Sequence, residues 1–75
     1  MGQNMKFITG YRDKFGDSIE IHFIPGPDGD GPNEHGRYLD SWAVVDVQND
    51  SEEVFGSRNA AFKSAVDLVN FYNSL

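Results

Sequence analysis

The sequence predicts a single α+β domain: a small antiparallel sheet of three to four strands with one C-terminal amphipathic helix packed on one face. Three observations lead there. Residues 18–24 alternate apolar and polar side chains, the mark of a half-buried strand. Residues 25–36 hold all three prolines and half of the eight glycines, so no regular element passes through them. Residues 58–73 carry an apolar stripe at helical spacing. The order is β-β-long loop-β-(β)-α.

Taken in order, residues 1–4 precede a second methionine, Met5, and read either as a leader ahead of a start at Met5 or as an ordinary frayed terminus. A first strand follows over residues 5–11, with large side chains at Met5, Phe7 and Tyr11 and a bulge expected at Gly10. The polar residues 12–17 make a turn. Residues 18–24 form the second strand, with Ile19, Ile21 and Phe23 on one face and Glu20, His22 and Ile24 on the other, so the two strands read as a hairpin. The loop over residues 25–36 is long for a domain this small, and such loops tend to carry function. Residues 38–48 form a third strand, residues 49–52 a turn, and residues 53–55 a short fourth strand. Ser57 is placed as the N-cap of the final helix. On that helix Ala61, Phe62, Ala65, Val66, Leu68, Val69, Tyr72 and Leu75 share one stripe, opposite Lys63, Ser64, Asp67, Asn70 and Ser74. Phe71 falls on the polar side, unexplained by the helical pattern.

One helix covers one face of such a sheet and leaves the other to solvent or a partner. Ile19, Ile21 and Phe23 are expected beneath the helix. On the third strand Leu39, Ala43, Val45 and Val47 are the more uniformly apolar set and are assigned to the same face, with Phe7, Tyr11 and Phe55 completing the core. The open face then carries Lys6, Ile8, Glu20 and His22 from the hairpin, and Tyr38, Asp40, Trp42, Val44 and Asp46 from the third strand. Aromatic side chains among carboxylates on an open face suggest an interaction surface. A register slip of one residue inverts this assignment and turns Trp42 into the core.

Seventy-five residues support one modest core, since a chain this short buries only ~60% of the surface its unfolded form exposes. There is no cysteine, hence no disulfide, thiolate nucleophile or thiolate ligand, which fits a reducing, cytoplasmic setting. No apolar run is long enough to span a bilayer, and no membrane partner is expected. The net charge of −6 is uneven. Residues 1–27 balance to zero and residues 54–75 to +1, whereas residues 28–53 carry eight acids against Arg37 alone. This field repels nucleic acid phosphates and attracts basic surfaces; its bland reading is a solvated face that aids solubility.

Little in the sequence points to catalysis, and the chain is read as no enzyme, with no cofactor. None of its serines lies in a nucleophile-elbow context, and Gly26, Gly29 and Gly31 are interleaved with aspartates that repel phosphate. His22 and Glu20 lie two apart on one strand face and can form a hydrogen-bonded couple, a common surface arrangement. His35 is read as a solvated loop residue. Asp28, Asp30 and Glu34 begin like a calcium loop, but Pro32, Asn33 and Leu39 stand where that loop needs other residues, so a turn-rich loop is the plainer reading.

The expected function is that of a small acidic protein-binding module, on compositional analogy a phage or mobile-element type inhibitor docking on a basic surface of a nucleic-acid-processing protein. Its expected contact residues are Tyr38, Asp40, Trp42, Val44, Asp46, His22 and Glu20. The alternatives are a homodimer formed through the open face, with Phe71 as a second interface, and a calcium-binding role for the loop.

Overall fold

The computed structural model of the chain describes residues 5–26 and 39–75. Its elements are β1 (Lys6–Arg12), β2 (Ser18–Ile24), β3 (Ser41–Asp46), β4 (Ser51–Phe55) and α1 (Arg58–Asn73). The four strands form one antiparallel sheet in chain order, β1-β2-β3-β4, and α1 packs on it chiefly over β2 and β3. The α+β architecture is as expected. The predicted calcium candidates Asp28, Asp30 and Glu34, together with His35 and Tyr38, lie outside the described residues, as does most of the long loop. Among the described residues no helix is long and apolar enough to cross a membrane.

Local chemistry accounts for the connections. The loop between β1 and β2 is closed by Asp13, whose Oδ1 accepts the backbone N–H groups of Phe15 at 2.9 Å and Asp17 at 3.0 Å. Gly16 in the same loop has φ +85°, a left-handed conformation that glycine adopts without a Cβ clash. The β3–β4 turn over residues 47–50 is closed at Asp50, with φ 51°, a conformation that aspartate tolerates better than most side chains. Ser57, extended at φ −132°, accepts the Ala60 N–H at its Oγ and starts α1 at the predicted residue.

The core is formed by Ile19 and Ile21 of β2, Val44 of β3, and Ala61 and Ala65 of α1. Two alanines at i and i+4 let the helix backbone come close to the sheet, and each isoleucine contributes roughly 1.5–3 kcal/mol of burial. Tyr11, Trp42, Phe55, Phe62, Leu68 and Val69 close the core at its margins.

Two expectations about faces are corrected. The first concerns β3. Phe23 pairs with Trp42, Ile21 with Val44 and Ile19 with Asp46, so Trp42, Val44 and Asp46 share the helix-side face. Ala43 and Val45 point to the opposite face, while Leu39 and Val47 lie outside the strand and are exposed. Apolar residues occupy both faces of this strand from Trp42 to Val45, so alternation alone does not choose between them. The second concerns Phe7. The bulge falls between Phe7 and Thr9 instead of at Gly10, and the extra residue, Ile8, shifts everything before it by one. Phe7 therefore pairs with His22 on the face away from α1 and is 60% exposed, whereas Tyr11 stays with the core.

Candidate interaction surface

The residues expected to form one patch are divided by the sheet. Trp42 is half-buried under the helix side, its ring tilted against Phe23 at 5.6 Å, and Val44 is in the core. Asp40 is exposed just before β3, where its Oδ1 accepts the Gly26 N–H at 2.9 Å. Glu20 and His22 occupy the opposite face and form the expected couple, with His22 Nε2 2.9 Å from Glu20 Oε1. The Phe7 ring meets His22 edge-on at 5.5 Å. Phe71 is 57% exposed on α1 and packs edge-on against Tyr72. No single face carries the whole expected set.

What the fold does bring together is the acidic end of the β3–β4 hairpin and the C-terminal turn of α1. Asp46, on the helix side of β3, is 4% exposed. Its Oδ2 accepts the Tyr72 hydroxyl at 2.5 Å and the Asn49 side-chain amide at 2.8 Å. Asn49 Nδ2 also donates to the Tyr72 hydroxyl at 2.8 Å, which closes a three-residue ring. Burial pushes the Asp46 pKa up, but the hydrogen bonds from Tyr72 and Asn49 outweigh it and hold the carboxyl below its ordinary value. The Tyr72 hydroxyl is correspondingly raised, first by its bond to Asp46, then by desolvation and by the Asp46 charge, with a smaller contribution from Asp13.

Beyond this ring the hairpin is exposed and acidic. Asp50, Glu52 and Glu53 stand at the surface, and residues 39–53 hold no lysine or arginine. Three of the described bases are engaged elsewhere: Lys63 with Asp67 at 3.0 Å, Arg58 over the Phe62 ring, and Lys14 with the Leu75 carbonyl. A cleft runs between β4 and α1 with Val44, Leu68 and Tyr72 as its apolar walls and Asp46, Glu52 and Glu53 around it. β4 is the last strand of the sheet in its order, so one backbone edge of it pairs with no described strand.

No family model, curated protein or solved structure matches this chain.

A second cleft opens beside the first, at the end of the sheet where the β1–β2 loop meets the helix C-terminus. Asp13, Phe15, Asp17, Gln48, Asn49 and Tyr72 line it, with Leu75 at its edge. The loop is tied to the helix through the Lys14 N–H, which donates to Asn73 Oδ1 at 2.7 Å. Among the described residues no three potential metal ligands converge. The sequence pattern places Tyr72 in the apolar stripe of the helix and Asp13 and Asn49 in turns, and assigns none of them to a site. The spacing of Asp13 to Gly16, an Asx residue three before a glycine, is a loop signal that points to Asp13; the Asn49 and Tyr72 roles depend on contacts across the fold.

Proposed function

We propose that this chain is a non-enzymatic protein-binding domain that docks on a basic surface of a protein partner through the acidic β3–β4 hairpin. A nucleic-acid-processing protein, whose working cleft is basic, is the partner class that this charge favours, and occupying that cleft makes the chain an inhibitor. The observation that carries the reading is the uncompensated acidity of Asp50, Glu52 and Glu53 beside a partly apolar cleft at a sheet edge. Charge steers the approach, and the walls at Leu68 and Tyr72 offer desolvated contact once docked.

The test is cross-linking capture from the native host with the wild-type chain and with the Glu52→Lys/Glu53→Lys double variant. The wild type retains a basic protein, the double variant loses it, and added salt weakens capture, because screening shortens to about 3 Å at 1 M ionic strength. A partner held equally by both chains at high salt overturns the reading.

Self-association is the second reading, favoured by Phe7 and Val54, which are exposed on the face away from α1 with Val45 beside them. Sedimentation at two concentrations decides it: a mass that stays monomeric at high concentration removes it.

A further inference from the structure

The two outer strands of the sheet, β1 and β4, each have one backbone edge that pairs with no described strand. Hydrogen bonds at the hairpin ends fix which backbone groups those edges present. The Val47 N–H donates to the Ser18 carbonyl at 3.1 Å, so residue 47 turns its backbone toward β2. Alternation along an antiparallel strand then turns Asp46, Val44 and Trp42 toward β4, and their partners Ser51, Glu53 and Phe55 toward β3. Glu52 and Val54 are left with N–H and C=O groups pointing outward. On the other edge the Asp13 N–H donates to the Asp17 carbonyl at 3.0 Å, toward β2. Tyr11, opposite Ile19, turns the same way, and Gly10 and Arg12 point outward. The two edges are opposite in charge: β1 carries Lys6 and Arg12 and no acid, whereas β4 carries Glu52 and Glu53 and no base. They also match in direction, because a second copy set with its β1 beside β4 continues the antiparallel order. Their faces agree as well. Gly10 and Arg12 pair with Glu20 and Ser18, and Glu52 and Val54 with Val45 and Ala43, all on the side away from α1.

We infer that a second copy of this chain adds to the sheet head to tail, β1 of one copy against β4 of the other, with Arg12 opposite Glu52 and Gly10 opposite Val54. This goes beyond the readings above, since it uses the sheet edges, not the open face, and needs no foreign partner. In this register the outward backbone groups of both strands meet, and Arg12 and Glu52 lie across the strands as opposite charges. A Cβ on Gly10 would lie 3.6 Å from the Phe7 ring, so pairing at Gly10 brings that exposed ring beside the exposed Val54. Two β4 edges suit each other less, because antiparallel pairing sets Glu52 against Glu52 or Glu53 against Glu53. A head-to-tail contact leaves a free edge at each end, so addition does not stop at two copies.

The experiment is sedimentation of the full chain at rising concentration, up to about 1 mM because a contact between two short edges is weak. The salt is held at about 0.1 M, where a Debye length of about 10 Å screens the net charge of the copies more than a contact pair. The mean mass rises with concentration and passes that of two copies. Arg12→Glu and Glu52→Arg each lower the association constant about tenfold, as attraction becomes repulsion, and the double variant Arg12→Glu/Glu52→Arg restores it. Should the double variant not fold, an equimolar mixture of the two single variants carries the same complementary pairs and recovers the mass. Val54→Pro removes an outward N–H and no bond to β3, which an edge strand tolerates, and also lowers association. Amide spectra establish that each variant is folded. A wild type that stays monomeric, a mass that stops at two copies, single variants that associate as the wild type does, or no recovery in the double variant and the mixture each overturn the inference. Arg12→Glu keeps every acid of the hairpin, so host capture with that variant tests the docking reading by itself.

Discussion

Asp46 is the residue on which the most structure depends. It sits on the helix side of the sheet at a position where an apolar residue is the default, and it is tolerated because Tyr72 and Asn49 satisfy it. Asp46→Ala removes the shared acceptor of a closed ring and leaves two donors to find water; urea unfolding should show a loss of about 1–3 kcal/mol. The pH dependence has a definite sign. A carboxyl held below its ordinary 3.8 in the folded state contributes stability that is present above that value and fades as pH falls through the lowered folded value. Tyr72 works at the other end. Its hydroxyl is raised above 10.0, so its contribution is intact below 10.0 and fades as pH rises through the raised folded value. Acid and alkaline unfolding of Asp46→Ala should therefore be shallower at both ends than in the wild type. In the sequence Asp46 reads as one more acid of a charged segment, because its donors lie 3 and 26 residues further along the chain.

Among the elements, the bounds of α1 and β2 are legible and β3 is legible only in part. Val66 and Leu75, read into the apolar stripe, are exposed, and Ile24, read onto the open face, is buried. The helix pattern extends over four turns and ends at a capped serine, so several independent signals agree. Ser57→Ala should cost about 0.5 kcal/mol, the low end for an N-cap since the Oγ to Ala60 N distance is a long 3.4 Å; a thermal melt measures it. On β3 the face is the issue. Val44→Asp places a charge in the core and should abolish folding, whereas Val45→Asp, on the face away from α1, should leave a folded domain. Amide spectra of the two variants decide the register, and the reverse result would restore the opposite face assignment. Trp42→Ala belongs with Val44: by removing half-buried contact with Phe23 and the core margin it should cost about 2–3 kcal/mol, so it is no clean probe of binding.

For the whole molecule, the distribution of charge couples stability to the proposed function. Acids crowded at the β3–β4 end, in a stretch over residues 39–53 that holds no lysine or arginine, repel one another, so the fold is expected to become more stable as salt rises from about 0.01 M to about 0.3 M. Glu53→Lys should weaken that salt dependence while keeping or raising stability, and lose partner binding. A urea midpoint series against salt checks the first part, and a variant destabilised at low salt would count against it. Such a residue, costly to the fold alone and useful only in a complex, is what a docking surface would hold.

Composition, periodicity and capping chemistry by themselves determined the α+β class, the order of elements, the bounds of β2 and α1, and the confinement of acidity to the middle of the chain. Each is a local property, readable within one turn or one strand. Only the tertiary structure decided the faces. A bulge at Ile8 moved Phe7 across the sheet, and the pairing of Trp42 with Phe23 moved the aromatic side chain from the surface to the core margin. Side-chain direction alternates with every residue, so one inserted residue or one step of register reverses it, and nothing local in a strand apolar on both faces resists that reversal. The acidic hairpin kept its charge through that change, but the neighbours of its turn residue Asn49 became Tyr72 and Asp13, which reach it only when the helix closes on the sheet.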